Sequence, residues 1–220
     1  MGQINTIGGG NPAVGVLNHR IDTRGVNMRK DITYFKEPGA ANTDETVRAA
    51  VERAVELGIK HIVVASTTGS TGIKVAKAAE GTGIKTIVAT LHYGAREEGK
   101  WLFEESNLKT LEEMGATVFT QTHPLSGVER SFTDKVGGAS RAETIAAVLR
   151  SLFGIGFKVA VEVTIMAADS GMIPVSDDSE VIAIGGTGTG ADVACVIKPG
   201  HANSFFKMQI REIIAMPRVK

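Results

Sequence analysis

The sequence predicts an α/β protein, a three-layer α/β/α sandwich with a mostly parallel sheet, and three observations carry that expectation. Short apolar runs rich in β-branched residues alternate with longer amphipathic stretches, which is how strands and helices succeed one another in this class. The runs IVVA (62–65) and TIVAT (86–90) lack the polar alternation of a half-exposed strand, which suits parallel strands covered on both faces. The first run stops in STTGSTG (66–72) and passes straight into IKVAKAAE, whose Ile73, Val75, Ala76 and Ala79 are spaced for a helix. Strand, turn and helix thus follow in the order of a βαβ unit, whose crossover is expected to be right-handed.

Taken in order, residues 1–27 hold six glycines and little periodicity, so they read as a poorly ordered extension, with Met28 a candidate start. Residues 28–220 read as one domain. DITYFKE (31–37) alternates enough for a short strand or extended lead-in, and Pro38-Gly39 breaks it. Asn42-Thr43 offers a cap to a helix whose stripe runs through Val47, Ala50, Val51 and Ala54 and which Gly58 closes. After the strand at 86–90, the stretch 104–114 is an amphipathic helix with Gly115 at its end, and 117–120 is a third buried run. HPLSGVERSFTDKVGGAS (123–140) reads as a long polar loop, of a length that is usually functional or mobile. Arg141–Phe153 is a helix capped by Ser140. The stretch 157–172 carries both periods, and its length and its ending in Asp169-Ser170-Gly171 favour a helix. Strands are expected at 180–184 and Val193–Lys198, with GGTGTGAD between them, and 205–215 reads as a last strand or a strand with a turn.

Composition narrows the function. The chain has 220 residues, 43% of them hydrophobic and 22% charged, as in an ordinary soluble globular protein. Lys+Arg and Asp+Glu both number 24, so the total implies no basic face for nucleic acid. No apolar run reaches the ~20 residues of a membrane span, and the opening lacks a signal peptide's apolar core. Cys195 is the single cysteine, which excludes an internal disulfide and a multi-cysteine zinc site and fits a reducing, cytoplasmic setting.

The chemistry is expected at 66–72. At a helix N-terminus free amides point outward with the helix dipole behind them, glycines permit close approach, and hydroxyls add donors: together a phosphate cradle. The plainer reading is that Ser and Thr cap a helix and turn a corner. Gly186-Thr187-Gly188-Thr189-Gly190-Ala191 satisfies G-x-G-x-x-A, but a β-rich run follows where a dinucleotide site needs a helix. A loop closing over a ligand is the better reading. The Walker A pattern is absent, and Ser126 lacks the G-x-S-x-G elbow of a serine hydrolase. His92, His123 and His201 lie far apart and read as loop histidines, Cys195 as buried and inert, and Glu162 and Asp169 as structural charges in an apolar helix. The two glycine loops and the 123–138 loop each follow a strand's carboxyl end, where loops of a parallel sheet converge on a ligand. Arg130 or Lys135 then reads either as the charged partner of the phosphate or as a surface cation in a mobile loop.

YFKEPGAANTDETV, VVASTTGSTG, HPLSGVERSFTDKVGG, VTIMAADSGMIP, EVIAIGGTG and EIIAMPR together resemble the C-terminal α/β domain of pyruvate kinase, in the form of a stand-alone protein. The catalytic barrel is not in this sequence, so pyruvate kinase activity is not expected. In regulated kinases the matching Ser/Thr-Gly loop holds one phosphate of a sugar bisphosphate, which the resemblance carries to Ser66, Thr67, Thr68, Gly69, Ser70 and Thr71, with Gly72 next to them. The closing loop corresponds to Gly185–Gly190, with Gly185, Gly186, Thr187 and Gly188 as its candidate contacts; apart from the resemblance, the loops at the same end of the sheet add His92, Ser126, Gly127 and Arg130. Thr67 and Ser70 stand where those domains place basic residues, and Gly186-Thr187 where they place a Trp-Arg pair, so a second phosphate would be without its cation. The cradle also resembles the hydroxyl-rich loop with which flavodoxins hold FMN, and the stand-alone relatives are associated with FMN. The resemblance therefore implies a small phosphorylated ligand, FMN foremost, with the reaction unassigned, while the charge balance and the lack of a long apolar run leave nucleic acid and membrane out as partners. A second copy of the chain is left open as a partner. The alternatives are an enzyme using flavin or acting on a small phosphorylated substrate, with His92 or His123 as acid or base, and a ligand-free regulatory module. A flavodoxin-like electron carrier would need an acidic surface, which zero net charge does not supply.

Overall fold

In the computed structural model, which describes residues 28–220, seven strands and six α-helices follow one another. The first half runs β1 (Thr33–Phe35), α1 (Thr43–Leu57), β2 (His61–Ala65), α2 (Ser70–Ala78), β3 (Lys85–Ala89), α3 (Glu105–Glu113) and β4 (Thr117–Phe119). The second half runs α4 (Gly127–Val136), α5 (Arg141–Phe153), α6 (Ile155–Asp169), β5 (Val181–Gly185), β6 (Val193–Lys198) and β7 (Gln209–Pro217). The expected extension over 1–27 lies outside the described residues. Ile32–Lys220 gather into one compact unit.

The strands form one sheet in the order β1-β7-β6-β5-β2-β3-β4. Neighbours are parallel except β6, which runs antiparallel to both β5 and β7. That antiparallel β6 is why no helix follows the G-x-G-x-x-A segment: Gly185 pairs with Val193, and the glycines between turn a hairpin. From β2 the chain moves outward through β3 and β4, then returns to lay β5 on the other side of β2. The order therefore switches between β2 and β5, the place where open α/β sheets present their clefts.

The residues of the central strands divide between two cores, because side chains alternate across a sheet. Ile62, Val64, Val88, Ile182 and Ile184 pack under α1, α2 and α3, while Val63, Ile87, Val181, Ala183 and Cys195 pack under α5 and α6. These are the three layers the sequence leads one to expect. Helix α6 is apolar on nearly every side because it lies between the sheet and α5, and this resolves its two competing periods.

Two local expectations need correction. Asn42 stands at the N-cap of α1 without a side-chain cap bond, because a 3-10 turn (Ala40–Asn42) precedes the helix and the Asn42 amide donates back to the Glu37 carbonyl at 2.8 Å. The stretch 123–140 is not all loop, since residues 127–136 form α4. That helix buries none of its residues, so its apolar stripe of Val128, Phe132 and Val136 faces outward and lends the segment no core signature. The i, i+4 spacing of those three residues was the signal available.

Candidate functional site

The turn between β2 and α2 is held by its own side chains. Ser66 Oγ accepts from the Gly69 and Gly72 amides at 3.2 and 3.3 Å, so this hydroxyl caps α2. Thr68 and Ser70 hydroxyls lie 3.3 Å apart. The Thr68 carbonyl accepts from the Glu104 amide at 3.2 Å and from Asn107 Nδ2 at 3.0 Å, which fixes the turn to the start of α3. The amides of Thr67, Thr68, Ser70 and Thr71 donate to no atom of the described residues, and the last two belong to the first turn of a nine-residue helix. What is left is a row of unpartnered donors at a helix N-terminus, rimmed by hydroxyls. Gly69 and Gly72, expected to let a ligand approach, serve packing instead. A Cβ on Gly69, whose φ is +102°, would meet Asn107 Cβ at 2.6 Å and the Phe103 ring at 2.9 Å, and one on Gly72 would meet Val88 at 2.9 Å.

These donors open into a cleft of about 510 Å³. Ser66, Thr67, Thr68, Ser70 and Thr71 form one wall, and Gly186, Gly188, Thr189 and Gly190 a second. The glycine loop is fastened at both ends: Asp192 Oδ2 accepts from the Gly39 amide at 2.8 Å and from the Thr187 amide at 3.2 Å, and the Ala191 amide donates to Thr43 Oγ1 at 3.0 Å. Across from the cradle stand Arg96, Arg130, Arg150 and Lys158 with a single carboxylate, Glu162. Arg150 and Arg96 make no ion pair among the described residues, whereas Arg130 lies 3.4 Å from Glu143. The cleft thus carries more positive than negative charge, and its cations arrive on α4, α5, α6 and the turn after β3 rather than in the cradle itself.

At the floor of this cleft sits a buried polar cluster. Lys158, 5% exposed, is bonded to Glu162, 3% exposed, one helical turn further along α6. Glu162 Oε1 also accepts from the Leu125 amide at 3.1 Å. His123 Nδ1 lies 4.0 Å from Glu162 Oε2, its Nε2 lies 3.5 Å from the Thr90 carbonyl, and its ring meets His92 edge-on at 5.1 Å. Burial lowers Lys158 from the ordinary lysine value, with Glu162 opposing and Arg150 and Arg130 adding to the shift. Burial likewise lowers His123 below 6.5, against the pull of Glu162 and the Thr90 carbonyl. His61, at the other end of β2, shifts the same way through burial and Lys85.

A pH dependence of stability follows. In the window below 6.5 the unfolded chain binds a proton that folded His123 refuses until its own lower value is passed, so stability falls as the pH falls through that window. The urea midpoint should therefore drop between about pH 7 and about pH 5, and drop less in His123→Gln. An equal drop in both proteins would assign the effect to His61 or elsewhere.

Of the remaining sequence-chosen residues, Ser126 and Arg130 line the cleft and also a shallower depression of about 1020 Å³ beside it. His92, Gly127 and Lys135 line only that depression. Gly185 is buried against α6, and Thr187 contributes its amide to Asp192 rather than a face to the cleft. His201 is elsewhere, 3.1 Å from Asp169, so Asp169 and Glu162 serve different partners. Cys195 is buried in β6, where burial pushes its thiol up and leaves it protonated. Among the described residues no group of three His, Cys, Asp or Glu could hold a metal, and no helix is long and apolar enough to cross a membrane. Sequence reasoning missed Lys158 and Arg150. The available signal was the pair Lys158 and Glu162, two charges four apart in an otherwise apolar helix.

Fold and site together define a three-layer α/β protein whose hydroxyl-rich helix N-terminus opens into a cationic cleft at the switch point of the sheet. Residues 44–197 match the family described as pyruvate kinase, alpha/beta domain, and the chain belongs to that family. Among solved structures, that of an O-ureido-L-serine synthase is similar at 16% identity over 63% of this chain and 49% of that one, with a TM-score of 0.28. The chain spans about half the length of that protein, and so weak a likeness carries nothing about function.

Proposed function

We propose that the chain binds a small phosphate-bearing mononucleotide, FMN foremost, with the phosphate on the 66–71 turn. The observation that supports this reading is the row of unpartnered amides at Thr67, Thr68, Ser70 and Thr71, facing a cleft with excess positive charge. The donor set fits a monophosphate: backbone amides, the Thr68 and Ser70 hydroxyls, and arginines opposite rather than a buried cation inside the turn. A cleft of about 510 Å³ falls in the range of small-ligand sites. When bound, FMN supplies redox chemistry, and the residues named here bind and orient it. A buried, unpaired Cys195 fits a reducing cytoplasmic setting.

Thr68→Ala tests the reading directly, since one charge-assisted hydroxyl bond is worth about 1.5–3 kcal/mol. Fluorescence titration should show FMN weakened roughly ten- to a hundred-fold and riboflavin, which has no phosphate, almost unchanged. Equal losses for both, at an unchanged melting temperature, would place the phosphate elsewhere.

A further inference from the structure

Phosphate binding leaves the cluster on the cleft floor without a task. An ammonium group has three N–H donors, and Glu162 Oε2 takes one from Lys158 while no other atom of the described residues accepts from it. Its side chain is 6% exposed and lines the cleft, so the remaining donors are turned from bulk water toward the space a ligand would fill. They call for an oxygen that is negative or becomes so. His123 offers the complementary group. A carbonyl can only accept, so the contact with Thr90 puts the His123 proton on Nε2 and leaves Nδ1 with its lone pair on the side of Glu162. Glu162 has both oxygens engaged, by Lys158 and by the Leu125 amide, and is a positioning residue that keeps the amine charged.

We propose that Lys158 and His123 form an acid–base pair that enolises a phosphorylated carbonyl compound whose phosphate rests on the cradle. Lys158 donates to the carbonyl oxygen while His123 Nδ1 takes the proton from the adjacent carbon. The C–H electron pair moves into the new C=C bond, and the carbonyl π pair moves onto oxygen beside the ammonium. The imidazolium so formed is stabilised by Glu162 at 4.0 Å. Returning the proton to the carbon it left re-forms the C–H bond and the carbonyl, so nothing is oxidised or reduced overall and no co-reactant is needed. The lowered value of His123 keeps its ring neutral, and therefore basic, at neutral pH. The inference rests on the cradle holding a phosphate and not on that phosphate belonging to a flavin.

The probe is dihydroxyacetone phosphate in D₂O, with proton NMR following the C–H signals beside the carbonyl and calorimetry following binding. Deuterium should replace those protons faster with the protein than in buffer alone, and at least ten-fold slower for dihydroxyacetone, which cannot use the cradle. His123→Gln should lose about 10²–10⁴-fold, the usual share of a positioned base. Lys158→Met/Glu162→Leu, which leaves no buried charge alone, should lose the exchange while staying folded. The rate should rise with pH through a value below 6.5, set by His123 with His92, Glu162 and Lys158 facing it and Arg130 and Arg150 facing Lys158. Binding without exchange would overturn the acid–base pair and leave the cradle standing. An absence of binding would overturn the phosphorylated carbonyl compound as occupant, while the FMN and riboflavin titration decides the cradle separately. Exchange as fast in His123→Gln as in the natural chain would also overturn the proposal.

Discussion

Lys158→Met should destabilise the protein by about 3–5 kcal/mol, because it leaves the Glu162 carboxylate buried without its cation. Glu162 is 3% exposed, and its remaining partners are one backbone amide and a histidine held neutral by burial. The double variant Lys158→Met/Glu162→Leu should recover much of that loss. It removes both charges and leaves the Leu125 amide without an acceptor, at about 1–3 kcal/mol. The ordering is the test: urea unfolding should rank the single variant below the double one. If the double variant is the less stable, the pair contributes net attraction beyond the cost of burying it.

Gly185→Ala should be at least as damaging as a cavity in the core, costing about 3 kcal/mol or more. Its backbone is extended, so the cause is contact and not conformation: a Cβ there would overlap the Gly156 carbonyl oxygen and come within 2.8 Å of the Ala160 amide nitrogen. Both neighbours are backbone atoms of α6, so relief requires the helix to lift from β5 and to carry Lys158 and Glu162 with it. Gly188→Ala is the contrasting case. It has open space around it and a φ of +76°, so only the left-handed strain of about 1–2 kcal/mol applies. Gly185→Ala should therefore lower the melting temperature several degrees further than Gly188→Ala. Equal effects would mean that α6 is not seated on β5 as closely as the structure has it.

The local parts of the site were legible because their causes are local. A continuous apolar run followed by STTGSTG and a helical stripe fixes where β2 ends and α2 begins, and both lie where the sequence places them. Ser140 caps α5, accepting from the Glu143 amide at 3.0 Å, since a cap depends on residues three apart. Helix α4 escaped because its apolar stripe covers no core, and burial is what periodicity reports.

The sequence by itself determined the alternation of strands and helices, the family, and the turn of hydroxyls at the carboxyl end of β2. Only the tertiary structure decided what surrounds that turn. Gly69 and Gly72 turned out to be spaces for Phe103, Asn107 and Val88, neighbours that come from other elements and leave no trace at positions 69 and 72. The positive charge facing the cradle belongs to Arg96, Arg130, Arg150 and Lys158, the last three more than fifty residues further along the chain. Their meeting is set by the return of the chain across the sheet, from β4 through α5 and α6 to β5 beside β2. Such a meeting depends on which strands become neighbours, a long-range packing choice that short sequence windows do not encode.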